Sequence, residues 1–171
     1  AMSQDVIKLL IDACIETFYM VSVSSIIATL VGLPLGVLLT VTSRGHILEN
    51  TTLNQTIGSI VNATRSTPFI ILMVAIIPLT RLVVGTSIGT TAAIVPLTIS
   101  AIPFIARIIE SSLREVDGGV IEAAQSMGAT PLDIIRKVLL PEAMPSIILG
   151  LTLTVVSLIG YSAMAGTLGG G

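Results

Sequence analysis

Residues 17–43 contain no Asp, Glu, Lys or Arg. That apolar run exceeds the roughly 20 residues a helix needs to cross a bilayer. In hydrocarbon, only helices or closed barrels satisfy their own backbone polar groups. The rest of the chain has the same character. It is 11% charged, where soluble domains carry about 25%, and its mean hydropathy is +1.01. These values exclude a globular domain with a large core and predict an all-α, polytopic transmembrane helix bundle. The formal net charge of −2 gives no electrostatic case for nucleic acid. Cys14 stands alone, so an intrachain disulfide is impossible. Ala1 ahead of Met2 reads as a scar of tag removal. The first apolar run is too long for a signal peptide, and Asp5, Asp12 and Glu16 precede it against Lys8 alone.

Between Arg65 and Arg81 the uncharged stretch 66–80 would cover only about 22 Å as a helix. A second span is therefore expected to begin near Ile57, with Arg65 snorkelling to an interface or buried among helices. Gly85, Ser87 and Gly89 predict a turn before the third span. The expected spans are 17–42, 57–80, 88–109 and 143–168. Arg44, Arg65, Arg107, Arg114, Arg136 and Lys137 then gather on one side, against Lys8 and Arg81 on the other. By the positive-inside rule, the loops around 43–56 and 116–141 are cytoplasmic and the N-terminus is outside. Pro34, Pro68, Pro78, Pro96, Pro103 and Pro145 interrupt the spans, accompanied by small residues. Gly32-x-x-x-Gly36 permits close helix approach, and ordinary bundle packing is its plainer reading. Kinks and small residues together suit a bundle that rearranges.

The spans hold no mid-membrane Asp, Glu or Lys, which weighs against a proton- or ion-coupled carrier. They suit a neutral or zwitterionic solute moved by external energy. There is no G-x-x-x-x-G-K-[S/T] loop, so any ATP must be bound and hydrolysed by another polypeptide. No catalytic residue, metal or cofactor is expected in this chain. His46 reads as a solvated loop residue without a second metal ligand. Ser157, Tyr161, Ser162 and Met164 fall in the fourth span, where hydroxyls and a flexible thioether can line a solute path. Met164, bulky among small neighbours, is a candidate gate, with simple packing as the plainer alternative. Arg65 is a candidate inner-gate or carboxylate contact, with a cytoplasmic anchor as its plainer role.

The segment 120–141 reads as helix, break, helix. Residues 120–127 predict a short helix with Glu122 near its positive end. Gly128 is placed to end it in a left-handed cap. Thr130 can cap the next helix, with Pro131 at its first position and Asp133 completing a capping box. Ile134, Ile135, Val138 and Leu139 form one face of that helix, and Pro141 is expected to stop it. Small Ala123, Ala124, Gly128 and Ala129 allow close approach, so a partner groove can bury this elbow. A capped loop without a partner and a DNA-reading helix-turn-helix are the competing readings. Flanking spans and only two basic residues, Arg136 and Lys137, disfavour the second.

The spacing Glu122-Ala123-Ala124, Gly128, Val138, Leu140-Pro141 resembles the EAA loop of ABC-importer permeases. Further tracts resemble the methionine-import permease subunits in particular. They include Arg65-Ser66-Thr67-Pro68-Phe69, Pro103-Phe104-Ile105-Ala106-Arg107, Met127-Gly128-Ala129-Thr130-Pro131 and Gly160-Tyr161-Ser162-Ala163-Met164. The resemblance implies a type I ABC-importer permease fold with five spans, of which four are read here. It implies a homodimer in the bacterial inner membrane, paired with two ATPase subunits and served by an extracytoplasmic methionine-binding protein. ATP-driven closure of the ATPases would switch the bundle between inward- and outward-open states, carrying D- or L-methionine. The elbow would be the coupling helix, with Glu122, Ala123, Ala124, Met127, Gly128, Ala129, Thr130 and Pro131 seated in the ATPase. A permease for another amino acid, or a membrane adaptor that recruits a soluble partner, are the alternatives.

Overall fold

The computed structural model describes residues 4–169, and every regular element among them is helical. Helix α1 spans Gln4–Val41, α2 Thr51–Ser66, α3 Phe69–Ala75, α4 Ile77–Val84 and α5 Thr90–Arg114. Then follow α6 (Gly118–Ser126), α7 (Pro131–Ile134), a π-helical segment Ile135–Leu139, and α8 (Leu140–Ala165). A 3₁₀ turn, Gly166–Leu168, follows α8. The all-α reading holds.

Helix α5 is the centre of the bundle, with fourteen of its 25 residues buried. On one flank it meets α1 along a row four residues apart: Met20, Ser24, Ala28, Gly32, Gly36 and Thr40 are all buried. Side chains at that interval form the ridge that packs into a neighbour's groove. Gly32 and Gly36 are where the two backbones come closest. A Cβ on Gly32 would lie 2.8 Å from Ile105 Cγ2, and one on Gly36 2.5 Å from Ile109 Cβ. The plainer reading of this glycine pair, helix packing, is what the fold uses. On the other flank α5 meets α8, whose buried row runs through Ala143, Ile147, Gly150, Thr154, Leu158 and Ser162. A Cβ on Gly150 would overlap Ile108. The remaining faces of α8 are apolar and exposed, among them Ile148, Leu149, Leu153 and Val156.

Three helices, α1, α5 and the run 131–165 through α8, are long and apolar enough to cross a membrane, or four if α2 and α3 count as one bent span. Several expected boundaries move. Helix α1 starts at Gln4 rather than near residue 17 and is roughly 57 Å long, nearly twice the hydrocarbon core. Asp5, Lys8, Asp12 and Glu16 recur every three or four residues, so they share one helix face. Charge ends the apolar run there but not the helix. The expected 57–80 span is not one helix. Helix α2 begins earlier, where Asn50 accepts the Leu53 N–H at 3.0 Å. It ends before Pro68, and α3 departs at 104°. Proline lacks an N–H and disfavours helical backbone in the residue before it. Thr67 is accordingly extended, at φ −83° and ψ 123°.

Helix α5 continues past residue 109 to Arg114 because its polar end is internally paired, as described below. Pro141 does not stop the elbow's second helix. The Leu140 N–H reaches back to Ile135, a π-type turn, and α8 proceeds with Pro141 in its first turn. The wider turn gives the proline ring room against the carbonyl four residues earlier, the group it otherwise strikes.

Candidate functional site: a capped elbow and a cavity at a broken helix

The elbow is held almost entirely by contacts within its own sequence. Asp117 caps α6, its carboxylate accepting the Gly119 N–H at 2.6 Å. The helix thus begins at Gly118, two residues before the expected start. Beyond Met127, Gly128 takes φ +81°. Its N–H bonds to the Gln125 carbonyl at 2.9 Å, and the Ala129 N–H to that of Ala124 at 3.1 Å. That pair of bonds is a Schellman cap. The next helix has a complete capping box, with Thr130 accepting the Asp133 N–H and Asp133 accepting the Thr130 N–H. Ala124, Ile134 and Leu139 face the bundle and are buried. Glu122, Ala123, Gly128, Thr130 and Pro131 are exposed, and Ala129 is half-buried. Met127 is 83% exposed and Leu132 57%, so two large apolar side chains stand on the elbow's outer face.

The loop between α1 and α2 closes against this elbow. Gly45, His46 and Ile47 face Arg114, Ile121 and Glu122 across a recess of about 320 Å³. His46 is therefore not a freely solvated residue. Its Nδ1 is buried without a partner. Burial, and then the nearby Arg114 charge, hold its pKa below the usual histidine value. Arg114 belongs to a cluster that the sequence reading missed. Glu110, 4% exposed, pairs with Arg107 and with Arg114 at 2.7 Å. Arg107 also donates to the Gly58 carbonyl of α2 at 3.0 Å. The signal was present in the i, i+3 and i, i+4 spacing of three opposite charges.

A second site forms where α2 breaks into α3. Between them, α5 and α8 enclose a cavity of about 150 Å³. Arg65, in the last turn of α2, faces the Phe104 ring, 5.8 Å from its centroid. Phe69, the first residue of α3, stacks on Tyr161 of α8 at 5.0 Å and 6°. Ser157 and Leu158 complete the α8 wall. Three of the five expected path residues, Arg65, Ser157 and Tyr161, thus meet around one space. Ser162 does not; it is buried and donates to the Ile159 carbonyl at 2.7 Å. Met164 is 43% exposed and outside the cavity, yet it continues the row Ser157, Tyr161, Met164 at intervals of four and three. Phe69, Ser100, Phe104 and Thr154 also line the space; Phe69 and Phe104 stand in tracts that carry the family resemblance but have no path role in the sequence reading, and Ser100 and Thr154 stand in no motif.

Residues 32–171 match the family described as binding-protein-dependent transport system inner membrane component. The probable D-methionine transport system permease protein MetI of Vibrio cholerae is 61% identical over 163 residues, 95% of this chain and 72% of that protein. The D-methionine permease MetI of Salmonella typhi is 53% identical over 165 residues, 96% of this chain and 76% of its own. Among solved structures, an inward-facing MetNI methionine ABC transporter superposes with a TM-score of 0.97 at 53% identity, covering 99% of this chain and 79% of that one. An amino acid ABC transporter crystallised with histidines gives 0.77 at 25% identity, over 96% and 74% of the two chains. With the apolar bundle, the spaced elbow and these matches together, the chain belongs to the family of binding-protein-dependent transport system inner membrane components.

Proposed function

We propose that this chain is the membrane-spanning subunit of an ATP-driven importer of methionine. One observation carries the reading: a rigidly capped elbow, presenting Met127 and Leu132 outward, continuous through a π segment with a membrane-length helix. Force applied to such an elbow moves α8 as a rod, and a partner that grips it differently in two states can shift the bundle. The likeness to D-methionine permeases and to the MetNI methionine transporter supports methionine as the solute. That MetNI is an ABC transporter supports an ABC ATPase as the partner. The working unit is a permease homodimer with two ATPase subunits, receiving methionine from an extracytoplasmic binding protein. The N-terminus lies outside and the elbow in the cytoplasm of a bacterial inner membrane. ATP is bound and hydrolysed by the partner.

Glu122, Ala123, Ala124, Met127, Gly128, Ala129, Thr130 and Pro131 form the coupling surface. Arg65, Ser157 and Tyr161 line the solute path, and Met164, farther along the same face of α8, is its gate, with Ser162 behind it. The test is radiolabelled methionine uptake into ATP-loaded vesicles holding the permease with its ATPase, with the binding protein supplied outside. Uptake that needs ATP and is competed by unlabelled methionine is the expected result. Absence of ATPase co-purification, with no uptake, overturns the reading in favour of an adaptor. Met164→Ala is expected to raise solute leak through the same vesicles, and an unchanged leak removes the gate assignment.

A further inference from the structure

The cavity at the α2–α3 break is lined by three kinds of surface: one cation, hydroxyls contributed from α2, α5 and α8, and an aromatic and aliphatic set. We propose that it holds the transported solute during passage, with Arg65 binding the solute's carboxylate, a set of hydroxyl oxygens receiving its ammonium group, and an aromatic wall covering an apolar side chain. The assignment rests on the importer reading above and adds to it which residues hold each part of a zwitterionic α-amino acid with an uncharged side chain.

Arg65 supplies the first surface. Arg107 and Arg114 share the Glu110 carboxylate, but Arg65 takes part in none of the ion pairs among the described residues. Its planar fork therefore retains capacity for a carboxylate, the group it matches with two parallel hydrogen bonds. Hydroxyls supply the second surface. Thr64 donates to the Ile60 carbonyl at 2.9 Å, Thr67 to Ala63 at 3.1 Å and Ser100 to Leu97 at 2.9 Å. Thr154 donates to Gly150 at 2.9 Å, and Ser157 to Leu153 at 2.9 Å. Each proton is committed to the residue's own helix, so what these hydroxyls offer a solute is lone pairs. Lone pairs receive an ammonium group and give nothing to an anion. Phe69, Phe104, Leu158 and Tyr161 supply the third surface, the stacked Phe69–Tyr161 pair forming a flat apolar face.

Size and charge then narrow the solute. A cavity of about 150 Å³ is the size that takes up benzene in an engineered apolar case. No described lining residue is acidic, so a solute with a cationic side chain leaves that charge unmatched. One arginine matches one carboxylate. The Thr67-Pro68 break is what puts the cation and the aromatic face on adjacent walls, since Arg65 ends α2 and Phe69 begins α3.

The test is competition for radiolabelled L-methionine by unlabelled L-methionine and by methionine amide, which lacks the carboxylate. It uses the permease assembled with its ATPase and no binding protein, so that selectivity is the complex's own. In the wild type, methionine is expected to compete at least about tenfold better than the amide, because a site built around a solute group rejects analogues lacking it. In Arg65→Gln this preference is expected to collapse to within about twofold, or methionine binding to vanish from a complex that still co-purifies with its ATPase. Arg65→Lys keeps the charge without the fork and is expected to fall between. A role for Arg65 in structure alone would lower occupancy and leave the preference intact. A preference unchanged in Arg65→Gln, or absent in the wild type, overturns the assignment while leaving importer function standing. Wild-type vesicles that take up no methionine even with ATP inside and the binding protein outside overturn both.

Discussion

In the elbow, each turn is closed by a partner within five residues: Asp117 with Gly119, Gly128 with Gln125, Thr130 with Asp133. The cavity is assembled from four helices, with lining residues that run from Thr64 to Tyr161. The elbow keeps its shape through backbone hydrogen bonds and one left-handed residue, and its outer face is open. The cavity keeps its shape through the depth at which α2, α3 and α8 press against α5. A local fold of the first kind can serve as a handle, since it survives being pushed as a unit. A space of the second kind changes volume whenever its helices shift, which is what alternating access requires.

Glycine substitutions probe this contrast most strongly. Gly36→Val drives side-chain atoms into Ile109 and the Ala106 carbonyl, 2.5 and 2.7 Å from the new Cβ, and overpacking of this kind costs about 3 kcal/mol. The detergent-solubilised protein should melt well below the wild type. Gly128→Val meets nothing within 4 Å but must hold φ +81°, at a cost of about 1–2 kcal/mol for a residue with a Cβ. Here the global melting temperature should change little, while methionine uptake per ATP hydrolysed falls. Equal melting shifts for the two variants would break the distinction between a packed seam and a locally capped handle. Thr130→Ala removes one cap and should cost about 1 kcal/mol, read as faster amide exchange in 131–134 with no change around Arg65.

The smallest effect concerns the loop that ties the two regions together. The pKa of His46 is lowered in the folded protein by burial and by Arg114, so unfolding binds a proton as pH falls below the ordinary value near 6.5. The loop's contact with the elbow is then fully stable above about 6.5 and weakens as pH drops through the lowered value. Amide-exchange protection in residues 43–49, corrected for the intrinsic rate, should fall with acidification, and His46→Gln should flatten that profile.

The elbow was almost wholly legible from sequence because its determinants are local. The Thr130–Asp133 box, the left-handed Gly128 and the buried face of Ile134 and Leu139 all follow from spacing. Pro141 was misread, because whether a proline ends a helix depends on the turn before it, and the π segment was not visible as a pattern. Arg65, Ser157 and Tyr161 were legible as residue types but not as neighbours. Their meeting depends on the 104° turn at Pro68 and on the close approach of α5 and α8 at Gly150.

By itself the amino-acid order determined that this chain is helical, lies in a bilayer and carries a capped elbow between membrane-length helices. Those properties arise from hydropathy and from hydrogen bonds a few residues long. Only the tertiary structure decided that Arg107 reaches the Gly58 carbonyl of α2 and which aromatic rings share a wall with Arg65. Those depend on distances between helices, and such distances are set by close packing such as that of α8 on α5 where Gly150 meets Ile108.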